Sequence, residues 1–186
     1  MKKGAVLMVL LLCLTGCAGE NKELQRGLSL RTALLKGAGC SFTAQVTADY
    51  GDKVYAFSMD CTGDSGGNLT FTVTQPDTLS GIEGTVCDDG GRLTFAETAL
   101  HFDLMADGLL SPVSAPWLLL KTLRSGCITS AGMDGPLLRL SIDDSYADDA
   151  LHLDIWCDEE NVPVKAEICW ENRTLLTLAV TNFRIL

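Results

Sequence analysis

Hydrophobic and polar positions alternate along most of the chain. Phe42, Ala44, Val46, Ala48 and Tyr50 alternate with Thr43, Gln45, Thr47 and Asp49. Tyr55, Phe57, Met59 and Cys61 alternate with Val54, Ala56, Ser58 and Asp60, and Leu69, Phe71 and Val73 with Thr70, Thr72 and Thr74. A period of two predicts strands with one apolar face and one wet face. Gly51-Asp52 and Gly66-Gly67 supply tight turns between these runs. Further strands are predicted at 82–87, 92–96, 99–104, 127–131, 137–143, 151–157, 162–170 and 174–183. Asp88-Asp89-Gly90-Gly91 and Asp158-Glu159-Glu160-Asn161 are turns, and Pro76 to Ser80 breaks the pattern as a turn or a single helical turn.

Two segments depart from the period of two. Residues 22–36 set Leu24, Leu28, Leu34 and Leu35 on a helical stripe; Gly27 weakens that helix, and Gly37 and Gly39 end it. Residues 117–123 are nearly all apolar, opened by Ser111-Pro112 or Ser114 and closed by Gly126. So apolar a helix belongs against the sheet's apolar face. A long antiparallel sheet tends to curl. The expected fold is therefore mainly β, of the α+β kind: a curved antiparallel half-barrel sheet of about ten strands, with helices covering its concave apolar face. A chain of 186 residues fits one such domain.

The first sixteen residues fall outside that domain. Met1-Lys2-Lys3 is a basic start, and Ala5 to Leu14 is an apolar run too short to span a bilayer. It ends in Leu14-Thr15-Gly16-Cys17, which resembles a bacterial lipobox, where the cysteine is diacylated and becomes the new N-terminus. The reading is a lipoprotein signal peptide at 1–16, a lipidated tether at 17–24 and the folded domain at 25–186. Burial is worth roughly 0.8 kcal/mol per methylene, so two acyl chains on Cys17 hold the protein at the cell membrane, on its extracytoplasmic side. Loss of Lys2 and Lys3 leaves 12 basic residues against 24 acidic ones, a net charge of −12. That charge repels anionic headgroups and nucleic acid. Nucleic-acid binding is excluded, and the domain stands off the membrane on its tether.

Beyond Cys13 and Cys17, six cysteines remain. Export permits disulfides. If Tyr50 faces Lys53 across Gly51-Asp52, Cys61 faces Phe42 and Cys40 lies one diagonal step away on the same face. Cys40 and Cys61 are thus a candidate pair, although diagonal neighbours often lie beyond bonding reach. Cys157 and Cys169 fall on opposite faces. No cysteine spacing reads as CxxC, so no zinc or thiol-redox centre is expected.

Candidate chemistry is sparse. Gly63-Asp64-Ser65-Gly66-Gly67 matches the string around a chymotrypsin-like nucleophile, but both histidines follow the serine and too little chain precedes it. It lies where a turn is needed, and a turn is the expectation. His101-Phe102-Asp103 and His152-Leu153-Asp154 each place a histidine and a carboxylate on one strand face. Were those strands to meet, four ligands would suit a transition metal. Alternation instead puts His152, Asp154 and Trp156 opposite the apolar face, in solvent. Asp88-Asp89, Asp143-Asp144 and Asp148-Asp149 lack EF-hand spacing. No metal, no cofactor and no catalytic residue are expected. The helix at Trp117 either completes the core or roofs an apolar cavity walled by Phe42, Tyr55, Phe57, Met59, Leu69, Phe71, Trp117 and Leu120. A cavity of that kind takes apolar ligands.

The order of parts resembles the LolA/LolB-like lipoprotein-carrier superfamily, including lipoproteins of Gram-positive bacteria. The resemblance spans most of the mature chain. It comprises the lipobox; the first helix leading into Ser41-Phe42-Thr43-Ala44; Tyr55-x-Phe57; Pro76-x-x-Leu79-x-Gly81-Ile82; Ser111-Pro112 before a helix; Val162-Pro163; and the closing Asn182-Phe183. It implies a helix-covered half-barrel, without catalytic residues, that holds an acyl chain or other apolar ligand. On this reading the protein is a membrane-anchored carrier or chaperone for a lipid or a lipidated polypeptide. The alternative is a non-catalytic sensor or protein-interaction lipoprotein with a filled core.

Overall fold

The computed structural model describes residues 21–96, 98–106, 109–147, 150–171 and 173–186. The expected signal peptide, Cys17 and the start of the tether lie outside the described residues.

Helix α1 (Lys22–Lys36) starts at Asn21, whose side chain accepts the backbone N–H of Leu24, and ends at Gly37. Strands β1 (Gly39–Asp49), β2 (Val54–Asp64), β3 (Leu69–Gln75), β4 (Glu83–Cys87), β5 (Gly90–Phe95) and β6 (Thr98–Phe102) follow as hairpins. A small hairpin of β7 (Met105–Ala106) and β8 (Leu109–Leu110) comes next. A 3-10 turn (Pro112–Ser114) leads into α2 (Ala115–Ser125). Strands β9 (Cys127–Asp134), β10 (Leu137–Asp143), β11 (His152–Cys157), β12 (Pro163–Trp170) and β13 (Arg173–Ile185) complete the chain.

Eleven strands form one antiparallel sheet in the order β6-β5-β4-β3-β2-β1-β13-β12-β11-β10-β9. The sheet is curved and does not close, which makes it a half-barrel; β6 and β9 are its edges. The two runs of hairpins are sewn together where β13 pairs with β1, from Cys40 opposite Ile185 to Ala48 opposite Leu176.

The alternation decides which face is covered. Phe42, Ala44, Val46 and Ala48 of β1 are buried, as are Met59 and Cys61, Leu153 and Ile155, and Leu176, Leu178 and Val180. On the other side of this core lie Leu30 and Leu34 of α1 and Trp117, Leu119 and Leu123 of α2. Each of the Val, Leu, Ile, Phe and Met side chains among these contributes about 1.5–3 kcal/mol by leaving water. Gly27, a weak helix former, is where α1 comes closest to the sheet: a Cβ there would fall 2.8 Å from Leu140 Cδ2.

Two arginines of α1 fasten it. Arg26 donates to Asn161 Oδ1 (2.8 Å) and to the Asp158 carbonyl (2.9 Å) in the β11–β12 turn. Arg31 donates to the carbonyls of Leu123 and Gly126, at 2.7 Å each. The last carbonyls of a helix have no partner within it, so Arg31 satisfies α2 where the helix dipole favours a cation.

Candidate functional site

Neither helix covers the end of the concave face where β1 turns into β2. There Tyr50 N–H donates to the Lys53 carbonyl, closing the turn. The Tyr50 hydroxyl donates to the carbonyl of Leu110, just before the 3-10 turn. Burial, with a smaller contribution from neighbouring Tyr55, pushes the Tyr50 hydroxyl above its ordinary pKa and keeps it a neutral donor. The 3-10 turn is thereby pinned across the end of the sheet. On the opposite side β3 stops at Gln75, which pairs with Ser58, so Val54 to Phe57 of β2 have no partner from β3. The chain at 76–82 loops back beside that gap, where Val73 N–H donates to the Ile82 carbonyl and Gly81 N–H to the Val73 carbonyl.

These three features leave an open pocket of about 510 Å³, within the range of small-molecule sites. Phe57 and Val73, 8% and 3% exposed, are its most buried lining residues. Val54 and Tyr55 of β2 and Pro76, Leu79 and Ile82 of the 76–82 segment add to its walls, with Leu93 of β5. Pro112 and Val113 close the side toward α2. Tyr55 and Leu79 are 48% and 41% exposed, so the rim is apolar and wet. Among the described residues no charged side chain lines the pocket, and the polar side-chain atoms that do are the two tyrosine hydroxyls.

Of the wall residues expected from sequence, the structure brings Tyr55 and Phe57 to this pocket. Phe42, Met59, Leu69, Phe71, Trp117 and Leu120 lie in the packed core. The Phe42 ring meets Phe183 at 5.5 Å between centroids. Phe71 lies over Gly84, where a Cβ would fall 2.4 Å from its Cζ, and Leu120 lies over Gly63 in the same way at 2.6 Å. Side chains fill the space beneath α2, and the opening is displaced to the rim. Of its other wall residues, Pro76, Leu79, Pro112 and Val113 come from connections rather than strands. The available signal was Leu79 and Val113, apolar residues in connections that a solvated loop does not need.

The remaining candidates separate. Gly63-Asp64 ends β2 and 65–67 form the turn: Asp64 accepts from Asn68 N (2.9 Å) and from Asn68 Nδ2 (2.9 Å), and Gly67 takes φ +92°, a region suited to glycine. Arg124 donates to the carbonyls of Asp64 and Ser65 from α2. His101 on β6 and His152 on β11 have seven strands between them, so the two His-x-Asp pairs never meet. Among the described residues no group of three potential metal ligands occurs. Cys40 and Cys61 are free thiols, as are Cys87, Cys127, Cys157 and Cys169. The register leaves Cys61 opposite Phe42 and Cys40 opposite Gly63, the diagonal relationship, and no bond spans it.

One placement corrects the sequence reading. Asp154 and Trp156 do face away from the core, but they are 7% and 8% exposed rather than solvated. Arg139 donates to both carboxylate oxygens of Asp154, at 3.0 and 2.6 Å, and Ser141 donates to it at 2.6 Å. Trp156 donates to Asp134 (2.8 Å), while Arg139 and Lys165 lie over its ring from the two flanking strands. Long cationic stems cover an aromatic ring that strand alternation alone would leave in water.

No known protein-family model matches the chain, and no curated protein matches it. Solved structures similar to it include a putative outer membrane lipoprotein-sorting protein domain from Vibrio parahaemolyticus. The two are 12% identical over 88% of this chain and 92% of that one, with a TM-score of 0.47. A LolA superfamily protein from Nitrosomonas europaea is 8% identical over 86% and 93%, with a TM-score of 0.44. The lipoprotein LppX from Mycobacterium tuberculosis is 12% identical over 87% and 93%, with a TM-score of 0.41. These are likenesses of fold. Among the described residues no helix is long and apolar enough to cross a membrane.

Proposed function

We propose that the protein is a non-catalytic lipoprotein, anchored outside the cell membrane through Cys17, that holds the alkyl part of a lipid or of a lipidated polypeptide. One observation carries the reading: a pocket of about 510 Å³ at the open end of the half-barrel, lined among the described residues without a charged side chain. An alkyl chain entering it leaves water at roughly 0.8 kcal/mol per methylene and needs no directed polar contact. The anchor keeps the pocket beside a source of such chains.

The test is displacement of a fluorescent fatty-acyl probe, with Tyr55→Glu and Leu79→Glu as variants. Both positions are exposed, so the fold tolerates the change, while each carboxylate enters the apolar rim. The wild type is expected to bind the probe, and the double variant to bind it at least about tenfold more weakly, since an unpaired charge is poorly tolerated beside apolar groups. A wild type that binds no alkyl probe overturns the proposal. The filled interior beneath α2 favours a second reading, an interaction module whose partner is a protein. Capture of one defined protein partner together with failure to bind any alkyl probe would establish that reading instead.

A further inference from the structure

A second recess lies against the outer side of the same wall. It measures about 430 Å³ and is lined by Gln45, Ser58, Gln75 and Asp77, together with Ala56, Phe57 and Pro76. Those last three residues also line the apolar pocket, so the two spaces share one wall beside the stretch of β2 that β3 leaves unpaired. Gln45, Ser58 and Gln75 form one row across three strands: Gln45 pairs with Ser58, and Ser58 with Gln75. Alternation turns this row to the wet face, and Asp77 follows one residue after the proline that ends β3. Gln45, Gln75 and Asp77 are exposed.

We infer that this recess takes the headgroup of the ligand whose alkyl part occupies the pocket, and that the head carries hydroxyl or amine donors and no negative charge. The inference rests on the alkyl-binding reading of the pocket and adds the polar end. Two amides and a hydroxyl offer hydrogen bonds in both directions, whereas the carboxylate only accepts. Among the described residues no lysine, arginine or histidine lines either space. A phosphate or sulfate head placed there would meet Asp77 with no cation to offset the repulsion. The chain's acidic balance adds to that field. An alkyl chain reaching over Phe57 and Pro76 spans both spaces, so the site selects an amphipath by its head and retains it by its tail.

The experiment uses the full-length lipidated protein in nanodiscs. Three photoactivatable C18 analogues are added at equal mole fraction, alike in their chain and differing in a glycerol, amine or phosphate head. Mass spectrometry reads the labelling of peptides containing 54–57 and 76–82. The glycerol and amine analogues are expected to label these peptides at least about tenfold more than the phosphate analogue, because like charges brought together at a binding site are strongly disfavoured. Asp77→Lys, an exposed change, is expected to shift labelling toward the phosphate analogue while total labelling persists. Equal labelling by all three, preference for phosphate, or a preference untouched by Asp77→Lys overturns the headgroup inference and leaves the pocket reading standing. Labelling by none of them overturns both.

Discussion

The indole N–H of Trp117 donates to the carbonyl oxygen of Gly67 across 2.9 Å, tying the first turn of α2 to the β2–β3 turn. Trp117 is 1% exposed, and Lys121, one helical turn further on, lies over its ring at 4.8 Å. The segment that resembles a serine-protease string is thus held from above by α2, through Trp117 and Arg124. Its carbonyls are occupied by structural donors.

Trp117→Phe removes the donor, keeps an aromatic ring and leaves the Gly67 carbonyl short of a partner. Loss of such a bond, with the unmade partner left behind, costs about 1–3 kcal/mol. The denaturation midpoint is expected to fall accordingly. Ser65→Ala touches only an exposed hydroxyl, so its stability change should stay within about 0.5 kcal/mol. A Ser65→Ala loss equal to that of Trp117→Phe would contradict the turn assignment.

Asp154 predicts a pH dependence. Burial by itself opposes ionisation, but hydrogen bonds from Arg139 and Ser141, with the charges of Arg139 and His152, outweigh it and hold the carboxyl below its ordinary 3.8. A carboxyl whose folded pKa is lowered stabilises the fold fully above its unfolded pKa, and that contribution is lost as pH falls through the folded value. Asp154→Asn should therefore be less stable than wild type at pH 7, on the order of 2 kcal/mol for the lost charged hydrogen bonds. The gap should narrow below pH 3.8. Urea denaturation at several pH values measures it, and a gap that stays constant down to pH 2 would refute the assignment.

The cysteines divide by exposure. Cys40, Cys61 and Cys157 are buried, while Cys87, Cys127 and Cys169 are partly exposed. Burial pushes the Cys157 thiol up to about 12, with Asp158 adding to the rise and Arg26 opposing it; burial likewise raises Cys61 and Cys40. Thiolates, not thiols, react with alkylating agents. Iodoacetamide on the native protein, read by peptide mass spectrometry, is expected to modify Cys87, Cys127 and Cys169 and to spare the other three until denaturant is added. Rapid native labelling of Cys61 would show that the β1–β2 core opens.

The alternating runs were legible because strand alternation is local: each side chain's face follows from its place in the run. The three opening strands appear in the expected register, with Phe42 opposite Cys61. Helices α1 and α2 were legible as elements, each with an apolar stripe or run and a terminal glycine. But the buried face of α1 is Gly27, Leu30 and Leu34, and Leu28 and Leu35 of the expected stripe are exposed, because the face that packs is set by the sheet beneath it. The site was legible only in part. Tyr55 and Phe57 lie on a readable strand, but Leu79, Pro112 and Val113 reach the pocket from connections whose paths no period describes, and Ile82, expected to open a strand, lies just before β4.

The sequence by itself therefore determined the strands of the main sheet, the two helices and which face of its central strands meets the core, since those depend on residues a few places apart. Only the tertiary structure decided that β13 returns to join β1, that Leu120 and Phe71 fill the space beneath α2, and that the opening lies beside Tyr50. It likewise decided that Asp154 and Trp156 are buried on the outer face. The physical reason is common to all four: whether space is filled depends on volumes supplied by residues far apart in the chain, and close packing is a property of the assembled whole.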